Sequence, residues 1–137
     1  MSGLERFTNT VNGQATESRT GRWLVSEDPF TGKAWAEVPH CDADDARAAI
    51  EAAHDAFNGP WSRMTATARG KLLRRFADLI EANADRLAEL ETRDNGKLYA
   101  EMAGQVRYLP EYYHYFGGLA DKIEGAVLPS DKPDIFS

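Results

Sequence analysis

Nucleophilic chemistry in this chain has one candidate, Cys41, the only thiol among 137 residues. It stands between His40 and Asp42, one residue before an expected helix N-cap, where a thiolate is favoured. The competing reading, a small residue filling a strand-to-helix joint, is the one the sequence favours. The three histidines, His40, His54 and His114, show no ligand spacing. His40, Cys41 and His54 could in principle meet a metal, but no second pair completes a tetrahedral site. Asp44-Asp45 and Glu89 with Glu91 fall on helical segments and read as solvated charge, since paired carboxylates for glycoside chemistry need a cleft. No Gly-x-Gly-x-x-Gly turn is present to cradle a dinucleotide. The sequence therefore assigns no catalytic residue and no cofactor-binding residue within the chain.

The elements that would carry any site fall into two regions. Residues 1–40 read as short strands and turns. Asn12-Gly13 marks a hairpin, because both central positions tolerate positive φ. Trp23-Leu24-Val25 is β-prone and is stopped by Asp28-Pro29-Phe30-Thr31-Gly32. Lys33 to Val38 alternates, which predicts a half-buried strand with Ala34, Ala36 and Val38 on one side. Residues 41–125 turn helical. Asp42 is the expected N-cap of a helix with the stripe Ala46, Ala49, Ile50, Ala53, Phe57, ended by Asn58-Gly59-Pro60. A second helix starts at Thr65 with the stripe Leu72, Leu73, Phe76, Leu79, Ile80. Asn83 is the expected cap of a third, closing at Asn95-Gly96. A fourth stretch, Leu98 to Ala103, meets Gly104. Tyr108, Tyr112, Tyr115, Phe116, Leu119 and Ile123 then share a helix face that Gly125 stops, with Pro110 expected to kink it.

Composition bounds the rest. With 42% hydrophobic and 28% charged residues this is ordinary globular material. The formal net charge of -6 argues against nucleic-acid or anionic-membrane binding, both of which need a positive surface. Lys71, Arg74 and Arg75 alternate with leucines and read as a solvated helix face. One cysteine permits no intrachain disulfide, and no apolar run approaches the about 18 residues of a membrane span. Met1 to Thr20 has no signal-peptide core, so the expected compartment is a reducing cytoplasm.

Three stretches, in order, resemble the NAD(P)-dependent aldehyde dehydrogenase superfamily, in its N-terminal portion. They are Asp28-Pro29-Phe30-Thr31-Gly32 with Ala36-Glu37-Val38-Pro39; Trp61-Ser62 through Arg69-Gly70-Lys71-Leu72-Leu73 into Leu90-Glu91-Thr92 and Asp94-Asn95-Gly96-Lys97; and Tyr115-Phe116-Gly117-Gly118-Leu119-Ala120-Asp121-Lys122-Ile123-Glu124-Gly125. Arg93 departs from the pattern where the family carries an apolar residue, and Leu98, Gly117 and Leu119 depart at Pro, Ala and Trp.

The resemblance implies an α/β family fold. This segment would supply short N-terminal strands and a mostly helical region packing on a Rossmann-like cofactor domain, with residues 126–137 leading into an oligomerisation hairpin. It implies a longer enzyme that oxidises an aldehyde to an acid with NAD or NADP through a cysteine thiohemiacetal, and that forms a homo-oligomer. The nucleophile, the glutamate base and the oxyanion groups would lie beyond Ser137, because the Gly-Gln-x-Cys context of the family's cysteine is absent. Asp134-Ile135-Phe136-Ser137 would then be a strand cut in mid-course. The alternative is a short non-catalytic paralogue that binds a partner.

Two sites are implied by resemblance. Backbone oxygens of Ser26 and Glu27 with the Asp94 carboxylate match the family's structural monovalent cation site, oxygen ligands suiting a hard cation. Asp94 could instead cap N–H groups of its own turn. Gly104, Tyr108 and Tyr112 match the wall of the aldehyde tunnel, where a tyrosine ring offers an apolar body and a polar tip; they could instead be core aromatics. If the segment's partner sheet lies elsewhere, the Leu72/Phe76/Ile80 and Tyr112/Phe116/Leu119 faces should be exposed.

Overall fold

The computed structural model describes residues 3–128 and 131–135. It is a mixed α/β fold, with five short strands leading into a helical region. The strands are β1 (Glu5–Arg6), β2 (Asn9–Val11), β3 (Gln14–Thr16), β4 (Trp23–Asp28) and β5 (Lys33–Pro39). The helices are α1 (Ala43–Asn58), α2 (Ala66–Ala82), α3 (Ala84–Asn95) and α4 (Tyr99–Leu119), with one 3-10 turn at Pro60–Arg63.

β2 and β3 form the expected hairpin, Val11 opposite Gln14, with Asn12 at φ 51° and Gly13 at φ 74°. β4 and β5 pair antiparallel, and β1 adds a parallel edge to β5, giving the order β1-β5-β4. The simple alternation expected in β5 fails. Ser26 faces Ala36 and Glu27 faces Ala34, so Trp35 is the extra residue of a bulge. Trp35 and its neighbour Ala36 are consequently both buried, while Ala34 is exposed.

Local chemistry explains the helix starts. Asp42 accepts from the N–H groups of Asp44 and Asp45, and Asp45 returns to the Asp42 N–H, a reciprocal capping box. Thr65 Oγ1 accepts from the Ala68 N–H at 3.2 Å. Asn83 does not cap α3 as expected. Its amide donates to the Leu79 carbonyl at 2.8 Å, so it closes α2. α3 does end at Gly96, in left-handed geometry with φ 74°.

α4 corrects the sequence reading twice. It runs unbroken through Gly104 and Pro110, and it ends at Leu119 rather than at Gly125. The ending fits the Gly117-Gly118 pair, whose carbonyls are taken by side chains: Arg74 Nη1 donates to Gly117 O at 2.7 Å and Lys122 Nζ to Gly118 O at 3.0 Å. Cations at a helix C-terminus also meet a favourable dipole.

The core is the α2–α3–α4 cluster of Ile80, Ala84, Ala88, Met102, Ala103 and Val106, with Tyr113 against it. α2 and α4 meet at Gly70 and Gly117, where a side chain on either glycine would strike the other's carbonyl oxygen. Leu72, Phe76, Tyr112, Phe116 and Leu119 are exposed as expected, but Ile80 is buried, at 8% exposure, because it turns into the core cluster. α1 buries none of its residues, and its stripe leaves Ile50 at 69% and Phe57 at 66% exposed. Of the stretch 126–137, residues 129–130 and 136–137 lie outside the described residues, and with them the second half of the strand expected at Asp134–Ser137; Ala126–Leu128 and Asp131–Ile135 carry no strand.

Candidate functional site

The first candidate site lies where the β4–β5 hairpin meets the α3–α4 turn. Gly96 needs positive φ there, and a Cβ on it would lie 3.0 Å from Pro29 Cβ, so the two turns touch directly. Asp28 shapes the strand turn by accepting from the Phe30 and Thr31 N–H groups, at 2.8 Å and 3.3 Å. These bonds, that of Phe30 first, hold its carboxyl below the usual carboxylate range, with Arg93 adding a smaller pull.

Two of the three expected cation-site residues are brought together here. Ser26 Oγ donates to Asp94 Oδ1 at 2.7 Å and accepts from Trp35 Nε1 at 3.1 Å. The bulge aims the Trp35 indole at Ser26. Glu27, one residue on, is exposed. Capping of the α3–α4 turn falls to Asn95, whose Oδ1 accepts the Lys97 N–H at 2.8 Å; the bond found for the Asp94 carboxylate is to Ser26. Sequence reasoning missed Trp35 and Arg93, although the Arg93 guanidinium sits 4.8 Å from the centroid of the Trp35 ring. The available signal was Arg93 itself, a charge where the superfamily pattern has an apolar residue.

The second candidate is the outer face of α4. Met102, Ala103, Val106, Pro110 and Gly117 are buried on one side of this helix. Gly104, Tyr108 and Tyr112 lie on the other, as the 3.6-residue period requires. Tyr108 and Tyr112 are 59% and 53% exposed in this chain and pack edge to face at 5.3 Å. Open space surrounds the position a Gly104 Cβ would take. Between the sheet and the helices runs an open apolar groove of about 520 Å³, walled by Phe7, Trp35, Phe76, Leu87, Leu109 and Tyr113.

Cys41 is exposed, and Asn9 Nδ2 donates to its sulfur at 3.0 Å. His54 pairs with Asn58 at 3.0 Å and His114 lies 3.5 Å from Asp78, so neither histidine joins Cys41. Among the described residues no group of three or more His, Cys, Asp or Glu could hold a metal. Beside Cys41 the capping carboxylates are tightly held. Asp42 falls to about 2, through the Arg19 guanidinium and then the Asp45 and Asp44 N–H groups, and Asp45 is lowered chiefly by the Ser18 hydroxyl.

Short strands, a bulged hairpin fastened to a helix turn, and a helix with an aromatic outer face define a mixed α/β segment. The profile of the Aldehyde dehydrogenase family matches residues 15–137, and the chain belongs to that family. It is 44% identical over 133 residues to (Z)-2-((N-methylformamido)methylene)-5-hydroxybutyrolactone dehydrogenase of Acinetobacter baylyi, covering 96% of this chain and 27% of that protein. It is 41% identical to aldehyde dehydrogenase family 2 member B4 of Arabidopsis thaliana, over 88% of this chain and 23% of that one. Among solved structures, the NAD-dependent aldehyde dehydrogenase of Sinorhizobium meliloti superposes with a TM-score of 0.90 at 30% identity, over 97% of this chain and 27% of that one. Betaine aldehyde dehydrogenase of Staphylococcus aureus, a point mutant in complex with NAD+, gives 0.86 at 35% identity, over 93% and 26%. The chain thus spans about a quarter of the length of the relatives it matches. Among the described residues no helix is long and apolar enough to cross a membrane.

Proposed function

We propose that this chain serves as the N-terminal part of the cofactor-binding domain of a longer cytoplasmic, homo-oligomeric enzyme that oxidises an aldehyde to a carboxylic acid with NAD or NADP. The observation that carries this reading is the pair of exposed apolar faces, Leu72 with Phe76 and Tyr112 with Phe116, on a chain matching a quarter of its relatives' length. Such faces are stable in water when another surface covers them. The nicotinamide, when bound, accepts hydride. Neither its binding residues nor the nucleophile is drawn from this segment, whose own thiol has the Asn9 amide as its side-chain partner.

The segment's contribution is to hold and shape. Gly104, Tyr108 and Tyr112 form one wall of the aldehyde entrance. The glycine leaves room beside the helix backbone, and the two rings exclude water from an apolar substrate while their hydroxyls stay wet.

The test is the whole product of the gene, incubated with NAD or NADP and a panel of aliphatic and aromatic aldehydes while reduced nicotinamide is followed by absorbance. Aldehyde-dependent reduction is expected from the whole product and none from the 137-residue chain. Turnover by the 137-residue chain itself, or none by the whole product with any aldehyde, would overturn the reading.

A further inference from the structure

The resemblance to the superfamily carries with it a monovalent cation on the backbone oxygens of Ser26 and Glu27 and the Asp94 carboxylate, and the one side chain in that set is otherwise engaged here. In that set the Asp94 carboxylate is the one charged ligand a bound cation would draw on. One oxygen of that carboxylate, Oδ1, is already engaged by the Ser26 hydroxyl at 2.7 Å. The hydroxyl is in turn fixed by the Trp35 indole N–H at 3.1 Å, so its proton points to Asp94. The Arg93 guanidinium rests on the same indole ring, 4.8 Å from its centroid, and also pulls on Asp28. A fixed positive charge thus sits on the indole that holds Ser26.

We propose that Trp35, Ser26, Asp94 and Arg93 form a cation-independent clasp. The hydrogen-bonded chain fastens the sheet to the α3–α4 turn, and Arg93 supplies the neighbouring positive charge that an ion supplies elsewhere. Arg93 and Trp35 are positioning residues. They act through Asp94 on the start of α4, and so on the direction of its outer face.

The proposal is tested by thermal unfolding of the gene product in sodium, potassium and choline chloride at one ionic strength. This readout does not depend on aldehyde oxidation, so its failure is distinct from failure of the proposed activity. A specifically bound ion present at about a hundredfold over its Kd raises the midpoint by several degrees. The wild-type protein is expected to unfold at the same temperature in all three salts. The Arg93→Leu variant, which restores an apolar residue at that position, is expected to unfold earlier in choline and to recover in sodium or potassium. Ser26→Ala is expected to lower the midpoint equally in every salt. A saturable rise of the wild-type midpoint with sodium or potassium would overturn the clasp. So would an Arg93→Leu variant as indifferent to the cation as wild type.

Discussion

Gly70 and Gly117 bring the backbones of α2 and α4 into direct contact: a Cβ on Gly117 would lie 3.0 Å from Gly70 O, and one on Gly70 would press harder still on Gly117 O. The crossing lets Arg74 reach the end of α4 and bond Gly117 O at 2.7 Å. Gly70→Ala must therefore separate the helices. We expect a loss of about 1–3 kcal/mol, in the range for overpacked cores. Chemical denaturation of the variant beside wild type measures it, and an unchanged midpoint would show that the helices do not meet there.

Gly104 is a glycine of the opposite kind. It sits inside α4 with open space where a side chain would go. Alanine at this position should stabilise the helix by about 1 kcal/mol. Gly104→Val should instead narrow the proposed entrance, raising KM for bulky aldehydes more than for acetaldehyde. Equal effects on large and small aldehydes would remove Gly104 from the substrate path.

The outer apolar faces give a prediction that depends on context. Phe116 is 56% exposed in this structure. Phe116→Ala should change the stability of the 137-residue chain by no more than about 0.5 kcal/mol. In the whole gene product, where the reading has this face covered, the same change should cost about 3 kcal/mol. Equal small losses in both proteins would argue that the face stays in water.

The capping box of α1 sets an acid limit. The Arg19 guanidinium, then the backbone N–H groups, lower Asp42 from 3.8 to about 2. A depressed carboxyl contributes stability that is present above 3.8 and is lost as pH falls through the folded value. Hydrogen-exchange protection at the first turn of α1, measured against the intrinsic rate at each pH, should therefore fall between about pH 4 and pH 2. Arg19→Ala removes the largest cause, so its window should begin nearer pH 4. Identical pH profiles for the two proteins would show that Arg19 does not hold this end.

Much of the local structure was legible in the sequence because single residues dictate it. Asn12-Gly13 demands its turn, Asp42 with Asp45 its capping box, and Gly96 its left-handed stop. What escaped depends on contacts far apart in the chain. The bulge at Trp35 accompanies contacts of its indole with Ser26 and of its ring with Arg93, and alternation along β5 cannot show either partner. Pro110 and Gly104 stay inside α4 because packing of Met102, Ala103 and Val106 on α2 and α3 outweighs local helix propensity. Of the candidate site residues, Ser26 and Asp94 were found through family spacing, whereas Trp35 and Arg93 needed the fold to bring them close.

The bond from Ser26 to Asp94 spans 68 positions of the chain. During synthesis at about 5–20 residues per second, the Ser26 strand leaves the ribosome roughly 3–14 s before its partner. For that interval the Trp35–Ser26 bond within the β4–β5 hairpin lacks its continuation to Asp94. All three strands of the β1-β5-β4 sheet precede α3 in the chain, so the sheet gains this tie to the helices only when Asp94 arrives.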